Sequence, residues 1–309
     1  MCTIVVANHM HKQMPLIIAA NRDEDYARVS TPPCVLANEP HLIVGGKDEE
    51  KGGTWLAVNK HSLFAAITNQ GTKDKAKTTS RGSIVLDALK CKTIDEMIEY
   101  VEGFNPSTYN GFNLIFGNQE HMFIAHSYIL HSIVISELPK GVSIITNDMT
   151  FIGPTDKTNY VHDTLNGAFN DDWLPTYKTL KKFLANEDYV KIRPTKKNGK
   201  LQGRCTRSSS VLAFGQDGLE RYKFHDRASY VIEKKKAGSD AHIPRYRDYV
   251  DLWRNPDTFV ADKLSSEENE KDDVNDEAPD VKKTINEIKN MMWYEPTGSF
   301  SNSRRMGRF

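Results

Sequence analysis

The chain opens MCTIVV, so a cysteine stands directly after the methionine and leads straight into a β-branched run. Methionine aminopeptidase removes Met1 when residue 2 is small, and cysteine qualifies. A free α-amino group on Cys2 would titrate at about 7.7–8.0, just below a thiol at about 8.5, so one residue would hold both nucleophile and base with a nearly thermoneutral proton transfer between them. That chemistry needs no histidine. The other reading of Cys2 is a small buried thiol with a packing role.

A second cluster follows in PLIIAANRDED, where an apolar run delivers Asn21, Arg22, Asp23 and Glu24 in succession at a strand end. An arginine and an aspartate there would partner each other or a thiolate, unless the stretch is a solvated charged turn. If this strand pairs with TIVV as a hairpin through ANHMHKQM, Arg22 and Asp23 fall near Cys2. Asn69 in AAITNQG and Asn147 in IITND also close strands. Carboxamides held at rigid strand ends can donate N–H groups to a developing oxyanion, or can simply end a strand in a turn. His9 and His11 in ANHMHK read as solvated loop histidines rather than iron ligands. The double glycine before Trp55 suits a tight turn more than close approach to a ligand. Arg81 and Gly82, at a helix start, offer N–H groups to a phosphate, a reading ranked below an ordinary helix N-terminus.

Elements must position these residues. Apolar stretches at Thr3–Val6, Pro15–Ala20, His41–Val44, Thr54–Val58 and Ser62–Thr68 read as strands buried on both faces or nearly so. Two helices follow. Ser80 is the expected N-cap of the first, ahead of Ile84, Val85, Ala88 and Leu89, while Thr93 and Glu96 form a capping box for the second with Gly103 as its stop. Strands resume over 112–146, a second helix pair is expected over about 159–168 and 173–186, and strands return at SSVLAFG and LERYKF. YRDYVDLW reads as a short helix. Helices arriving in pairs between antiparallel runs favour an α+β fold of two stacked, mainly antiparallel sheets flanked by helix layers over a doubly wound parallel sheet, although periodicity alone does not fix four layers.

The main domain is expected over residues 1–264, with an extension from about 228. Ser265–Asp280 carries eight acids and one lysine and reads as a disordered linker. Beyond it, 281–309 offers an amphipathic helix and a basic tail, able to dock a protein partner or fold back on the domain.

In 309 residues, Lys+Arg 41 balance Asp+Glu 41, which speaks against a nucleic-acid partner and leaves small molecules as the expected class. Cys2, Cys34, Cys91 and Cys205 show neither CxxC nor metal-ligand spacing, so no metal and no disulfide framework is expected. With no apolar run of membrane-spanning length and no secretory signal pattern, the expected location is cytoplasmic, with association to mitochondria or Golgi left open.

The motifs MCTIVV, IIAANRDED, GGTWLAV, AAITNQG, SRGSIVLDAL, NGFNLIFG, IITN and TRSSSVLAFG, in this order from Met1 to about Phe224, resemble the NRDE family, the transport-and-Golgi-organisation protein 2 homologues. That family in turn resembles the N-terminal-nucleophile hydrolases of the choloylglycine hydrolase and penicillin acylase type. The resemblance implies the αββα fold, with Cys2 as nucleophile, Arg22 and Asp23 as its orienters, Asn69 and Asn147 as oxyanion donors and Arg207 of TRSSSV as a polar partner near the amine. Asn21, Glu24, Trp55 and Arg81 are expected on the ligand side. Hydrolases of that type place arginine and aspartate a few residues apart, whereas they are adjacent here, so either Asn21 or Arg22 takes the arginine's place.

Two functions follow from the resemblance. One is hydrolysis or acyl transfer on a non-peptide amide or thioester through Cys2, with no cofactor required. The other is a non-catalytic carrier or trafficking factor for haem, acyl-CoA or lipid, with roles in Golgi organisation, secretion and mitochondrial metabolism. Retention of Cys2, Asp23, Asn69 and Asn147 together favours the first.

Overall fold

A computed structural model describes residues 2–71, 74, 79–127, 133–147, 156–165, 167–227 and 246–257. The chain divides into units Met1–Leu264 and Ser265–Phe309, and the expected linker and terminal helix lie outside the described residues.

The strands are β1 (Thr3–Asn8), β2 (Leu16–Asp25), β3 (Ser30–Ala37), β4 (Ile43–Asp48), β5 (Thr54–Asn59), β6 (Phe64–Asn69), β7 (Phe112–Gly117), β8 (Met122–Ser127), β9 (Ile133–Glu137) and β10 (Gly141–Ile145). They continue with β11 (Thr195–Lys197), β12 (Lys200–Gln202), β13 (Arg204–Gly215), β14 (Gly218–Asp226) and β15 (Arg247–Asp248). The helices are α1 (Gly82–Ala88), α2 (Ile94–Glu102), α3 (Asp156–Leu165), α4 (Trp173–Ala185) and α5 (Val250–Arg254). One six-stranded sheet has the order β10-β1-β2-β13-β14-β15, a seven-stranded sheet runs from β3 to β9 in sequence order, and β11-β12 is a separate hairpin.

Three apolar layers hold these parts together. Ile4, Val6, Ile18 and Leu212 of the first sheet pack against Val44, Leu56, Phe64 and Ile115 of the second. Val5, Ile17 and Ala19, on the other face of the first sheet, meet Val161, Leu180 and Phe183 of α3 and α4. Ala57, Ala65 and Leu114 meet Ile84, Val85 and Met97 of α1 and α2. The expected αββα order is therefore present. Both faces of β1, β2 and β6 are covered, which is why these strands read as continuous apolar runs. Each fully buried Leu, Ile or Phe contributes roughly 1.5–3 kcal/mol.

Several local expectations change. The NRDE stretch is not a turn: β2 runs on to Asp25 because β13 pairs with it from Arg204 to Phe214, so TRSSS is strand as well. The proline-bearing STPPCVLA, which the pattern left unassigned, forms β3, and its place at a sheet edge tolerates the missing N–H groups. YRDYVDLW splits into β15 and α5, because β14 offers a strand edge to Arg247–Asp248. Arg81 rather than Ser80 precedes the first helical residue of α1, although Ser80 Oγ accepts from Gly82 N at 3.3 Å. Thr93 caps α2 as expected, with its Oγ1 accepting from Glu96 N at 3.2 Å, and Glu96 Oε2 accepts from Lys92 N one residue further out.

The double glycine divides its work. Gly52 turns with φ +72°, while a Cβ on Gly53 would stand 2.6 Å from the Gly82 carbonyl carbon. This backbone-on-backbone contact sets the start of α1 against β5. Gly53→Ala is expected to destabilise by about 1–3 kcal/mol, since neither partner atom is a flexible side-chain end. Urea denaturation checks this, and an unchanged midpoint would show that the contact does not hold α1.

Candidate active site

The hairpin register decides the site. Thr3 lies opposite Asn21, so the next position brings Cys2 level with Arg22. The Asp23 N–H donates to Cys2 Sγ at 3.4 Å, and the Sγ lies 3.5 Å from the Asp23 carbonyl oxygen. Strand alternation then separates the NRDE side chains. Arg22 continues the row of Ile18 and Ala20 between the sheets, whereas Asn21 continues the row of Ile17 and Ala19 on the helix side. Asn21 Nδ2 donates to Leu184 O at 3.0 Å, and its Oδ1 accepts from Ser209 Oγ at 2.5 Å. Arg22, not Asn21, is thus the residue beside the thiol, and Asn21 ties α4 to the sheet instead of lining the ligand side.

Arg22 is 6 % exposed and crosses to the second sheet, where its guanidinium lies 4.4 Å from the Trp55 ring centroid and NH2 bonds Asp48 at 3.2 Å. Its NH1 is buried without a hydrogen-bond partner among the described residues. Asp48 also accepts from Arg28 Nε at 2.8 Å and from the backbone N–H groups of Glu50 and Lys51 at 3.1 Å. Gly46 makes the Trp55 position available, because a Cβ there would stand 2.4 Å from the indole. Asp23 is 1 % exposed; its Oδ1 accepts from Thr206 Oγ1 at 2.6 Å and its carbonyl accepts from Arg204 NH2 at 3.0 Å. Burial lowers the Arg22 and Arg81 guanidinium pKa values, each opposed by Glu24.

A cleft of about 270 Å³ opens here, and of the residues singled out from sequence it is lined by Cys2, Arg22, Asp23, Glu24, Trp55, Asn69 and Arg81. Arg81 reaches it from the start of α1, steadied by a 2.8 Å bond from NH1 to Gly111 O. Asn21, Asn147 and Arg207 are not on its wall. Asn147 follows β10 and has its Oδ1 buried with no partner among the described residues. Arg207 sits at the bulge in β13 between Thr206 and Ser208, and its NH1 donates to Tyr26 O at 2.6 Å. Thr206, its neighbour in the bulge, is the residue that holds Asp23. His11 is not solvated: it is 4 % exposed and its Nδ1 accepts from the N–H groups of Gln13 and Met14.

Asp48, Arg28 and Thr206 escaped the sequence reading. Asp48 lies in GGKDEEKGG, which looks like a charged turn, and nothing in its spacing announces a partner 26 residues away. Among the described residues no histidine, methionine or tyrosine lines the cleft. No group of three His, Cys, Asp or Glu residues able to hold a metal ion occurs among the described residues.

The family model described as Transport and Golgi organisation 2 matches residues 1–229. The chain belongs to this family. A Homo sapiens relative, Transport and Golgi organization protein 2 homolog, is 37% identical over 106 residues, which are 32% of this chain and 37% of the relative. The match therefore spans well under half the length of that relative. Among solved structures, the Caenorhabditis elegans N-acylethanolamine-hydrolyzing acid amidase ortholog is similar with TM-score 0.47 at 12% identity, over 68% of this chain and 92% of that one. Penicillin V acylase from Agrobacterium tumefaciens is similar with TM-score 0.49 at 15% identity, over 73% and 83%.

In this Transport and Golgi organisation 2 family member the Cys2 thiol is pushed above its ordinary range, first by burial and then by the charge of Asp23, with the Asp23 N–H pulling partly the other way. The sign is clear: desolvation and a neighbouring carboxylate disfavour the thiolate, so it forms only at higher pH. With Met1 in place, the pH midpoint of iodoacetamide alkylation at Cys2 is expected above that of an unperturbed thiol, about 8.5. Asp23→Asn should move it down; a midpoint at or below that of a free cysteine thiol in the unaltered protein would contradict the assigned environment.

Proposed function

We propose that the cleft hydrolyses or transfers the acyl group of a non-peptide amide or thioester through Cys2, after removal of Met1. The observation that carries this reading is the placement of the Cys2 sulfur on the Asp23 backbone in a cleft shared with Arg22 and Asn69. The freed α-amine takes the thiol proton, and Sγ attacks the substrate carbonyl carbon. A C–S bond forms, and the carbonyl π pair moves to oxygen. Asn69 supplies a donor to that oxyanion, an interaction worth about 3–4 kcal/mol in such sites. Collapse expels the amine or thiol leaving group, which takes the proton from the α-ammonium. Water then adds to the thioester, giving one proton to the α-amine, and the Cys2 thiolate leaves. Arg22, fixed by Asp48 and Trp55, keeps positive charge near the sulfur throughout.

One observation favours a second reading. Arg22, Arg28, Lys51 and Arg81 line the cleft, a cationic wall suited to non-covalent carriage of an anionic acyl-CoA or lipid. A part in Golgi organisation, as the family relatives' names state for them, and a cytoplasmic, mitochondrial or Golgi-associated location belong to the same proposal. Among the described residues no helix is long and apolar enough to cross a membrane.

Intact mass spectrometry of the trimmed protein, incubated with acyl-CoA thioesters and N-acyl amides, is expected to show one acyl adduct on Cys2. Cys2→Ser should keep the fold and reduce adduct formation by more than about tenfold, because a hydroxyl is far harder for an amine to deprotonate. A form that retains Met1 should be equally impaired. If both altered proteins acylate like the trimmed one, the thiol is structural and the carrier reading replaces the catalytic one.

A further inference from the structure

We infer that Thr68 and Asn113 are positioning residues for acyl transfer at Cys2, acting through the Thr146 carbonyl to set the backbone that carries Asn147. The inference rests on the acyl-transfer reading above.

Thr68, Asn113 and His126 lie side by side on β6, β7 and β8, in register, on the face that looks toward the first sheet. The adjoining row in the same register is the apolar set Ala66, Ile115 and Ile124. One step toward the strand ends, the inter-sheet layer turns polar. Asn113 is 2 % exposed, and all four hydrogen-bonding positions of its carboxamide are used. Its Nδ2 donates to Thr68 Oγ1 at 3.1 Å and to Thr146 O at 3.0 Å. Its Oδ1 accepts from His126 Nδ1 at 2.7 Å and from Gln70 Nε2. An amide oxygen only accepts, so His126 carries its proton on Nδ1, and burial, which lowers its pKa, keeps the ring neutral. The amide is therefore locked in one orientation.

Thr146 follows the last residue of β10, in the other sheet. Its carbonyl accepts from Thr68 Oγ1 at 2.9 Å as well as from Asn113. The second sheet thus grips the first across their interface at this peptide. The β1–β10 ladder ends with Ile4 opposite Ile145; continued, it sets Thr146 level with Thr3 and Asn147 level with Cys2, on the face that Ile4 and Ile145 share. Asn147 Oδ1 has no partner among the described residues, so bonds to that oxygen do not fix the side chain. The grip on Thr146 fixes the peptide plane that leads into Asn147, which stands behind the cleft wall level with Cys2, and so sets whether its carboxamide reaches the carbonyl attacked by Cys2. Burying so many polar groups without such a role gains little, because an apolar row of the same shape would serve the core as well.

Two reactions of the same thiol separate positioning from structure. Acylation by p-nitrophenyl acetate builds an oxyanion: the thiolate adds to the carbonyl, the electron pair moves to oxygen, and p-nitrophenolate leaves. Alkylation by iodoacetamide displaces iodide directly and builds none. In the trimmed protein, Thr68→Val, which keeps the side-chain shape, and Asn113→Ala are expected to slow the p-nitrophenolate burst about tenfold, the low end of what loss of an oxyanion donor does. Alkylation of Cys2 should stay within about twofold of the unaltered rate, and Thr68→Ser should restore acylation. If acylation and alkylation fall together, the residues are merely structural and the inference is wrong. It is equally wrong if the unaltered protein acylates and Thr68→Val matches it, which leaves the acyl-transfer reading standing. An unaltered protein that alkylates but never acylates would remove both. Because Asn113→Ala loses four buried hydrogen bonds, Thr68→Val decides the matter should it fail to fold.

Discussion

The structure depends on the register of one hairpin. With Thr3 opposite Asn21, Cys2 lands on the backbone of Asp23 and Arg22 enters the space between the sheets. A slip of one residue would exchange the faces of every side chain in β2. Asn21 would face the second sheet and Arg22 would be driven into α4, where the buried acceptors are backbone carbonyls suited to a carboxamide. The apolar alternation of Leu16–Ala20 holds this register, because each face must match a different core layer.

Charge is then arranged around the thiol by the second sheet. Asp48, at the end of β4, accepts from two arginines and two backbone N–H groups, which makes it the anchor of the cleft's cationic side. Arg22 can be buried because two things compensate for its lost hydration: the carboxylate of Asp48 and the face of Trp55. Small residues permit the arrangement. Gly46 leaves room for the indole, and the Gly53–Gly82 contact brings the start of α1, and so Arg81, to the rim.

The inter-sheet layer is apolar along most of its length and polar where the cleft opens. Such a gradient lets one sandwich combine a stable core with a site whose parts come from both sheets. Cys2 and Arg22 belong to the first sheet, Trp55 and Asn69 to the second, and the Thr68–Asn113–Thr146 bonds tie the two together beside them. Relative motion of the sheets would separate nucleophile from donor. Hydrogen bonds that are short and directional resist such motion better than apolar contact, which tolerates sliding.

By itself the sequence determined most of the long strands, the two helix pairs and the chemical types at the site: these follow from local periodicity, capping residues and the continuous apolar runs of doubly covered strands, whereas β3, β15 and the TRSSS part of β13 did not announce themselves. Thr93 as a cap and the β1–β2 hairpin were legible because their partners are near in sequence. The tertiary structure alone decided which member of Asn21–Arg22 faces the thiol, that Thr206 holds Asp23 while Arg207 turns to the Tyr26 carbonyl, and that Asp48 and Asn113 matter. It also kept Asn147 and Arg207 off the cleft wall. The reason is range. Asp48 meets Arg22 across 26 residues and Thr206 meets Asp23 across 183, and such pairings arise only when two sheets, each folded from distant segments, are brought face to face.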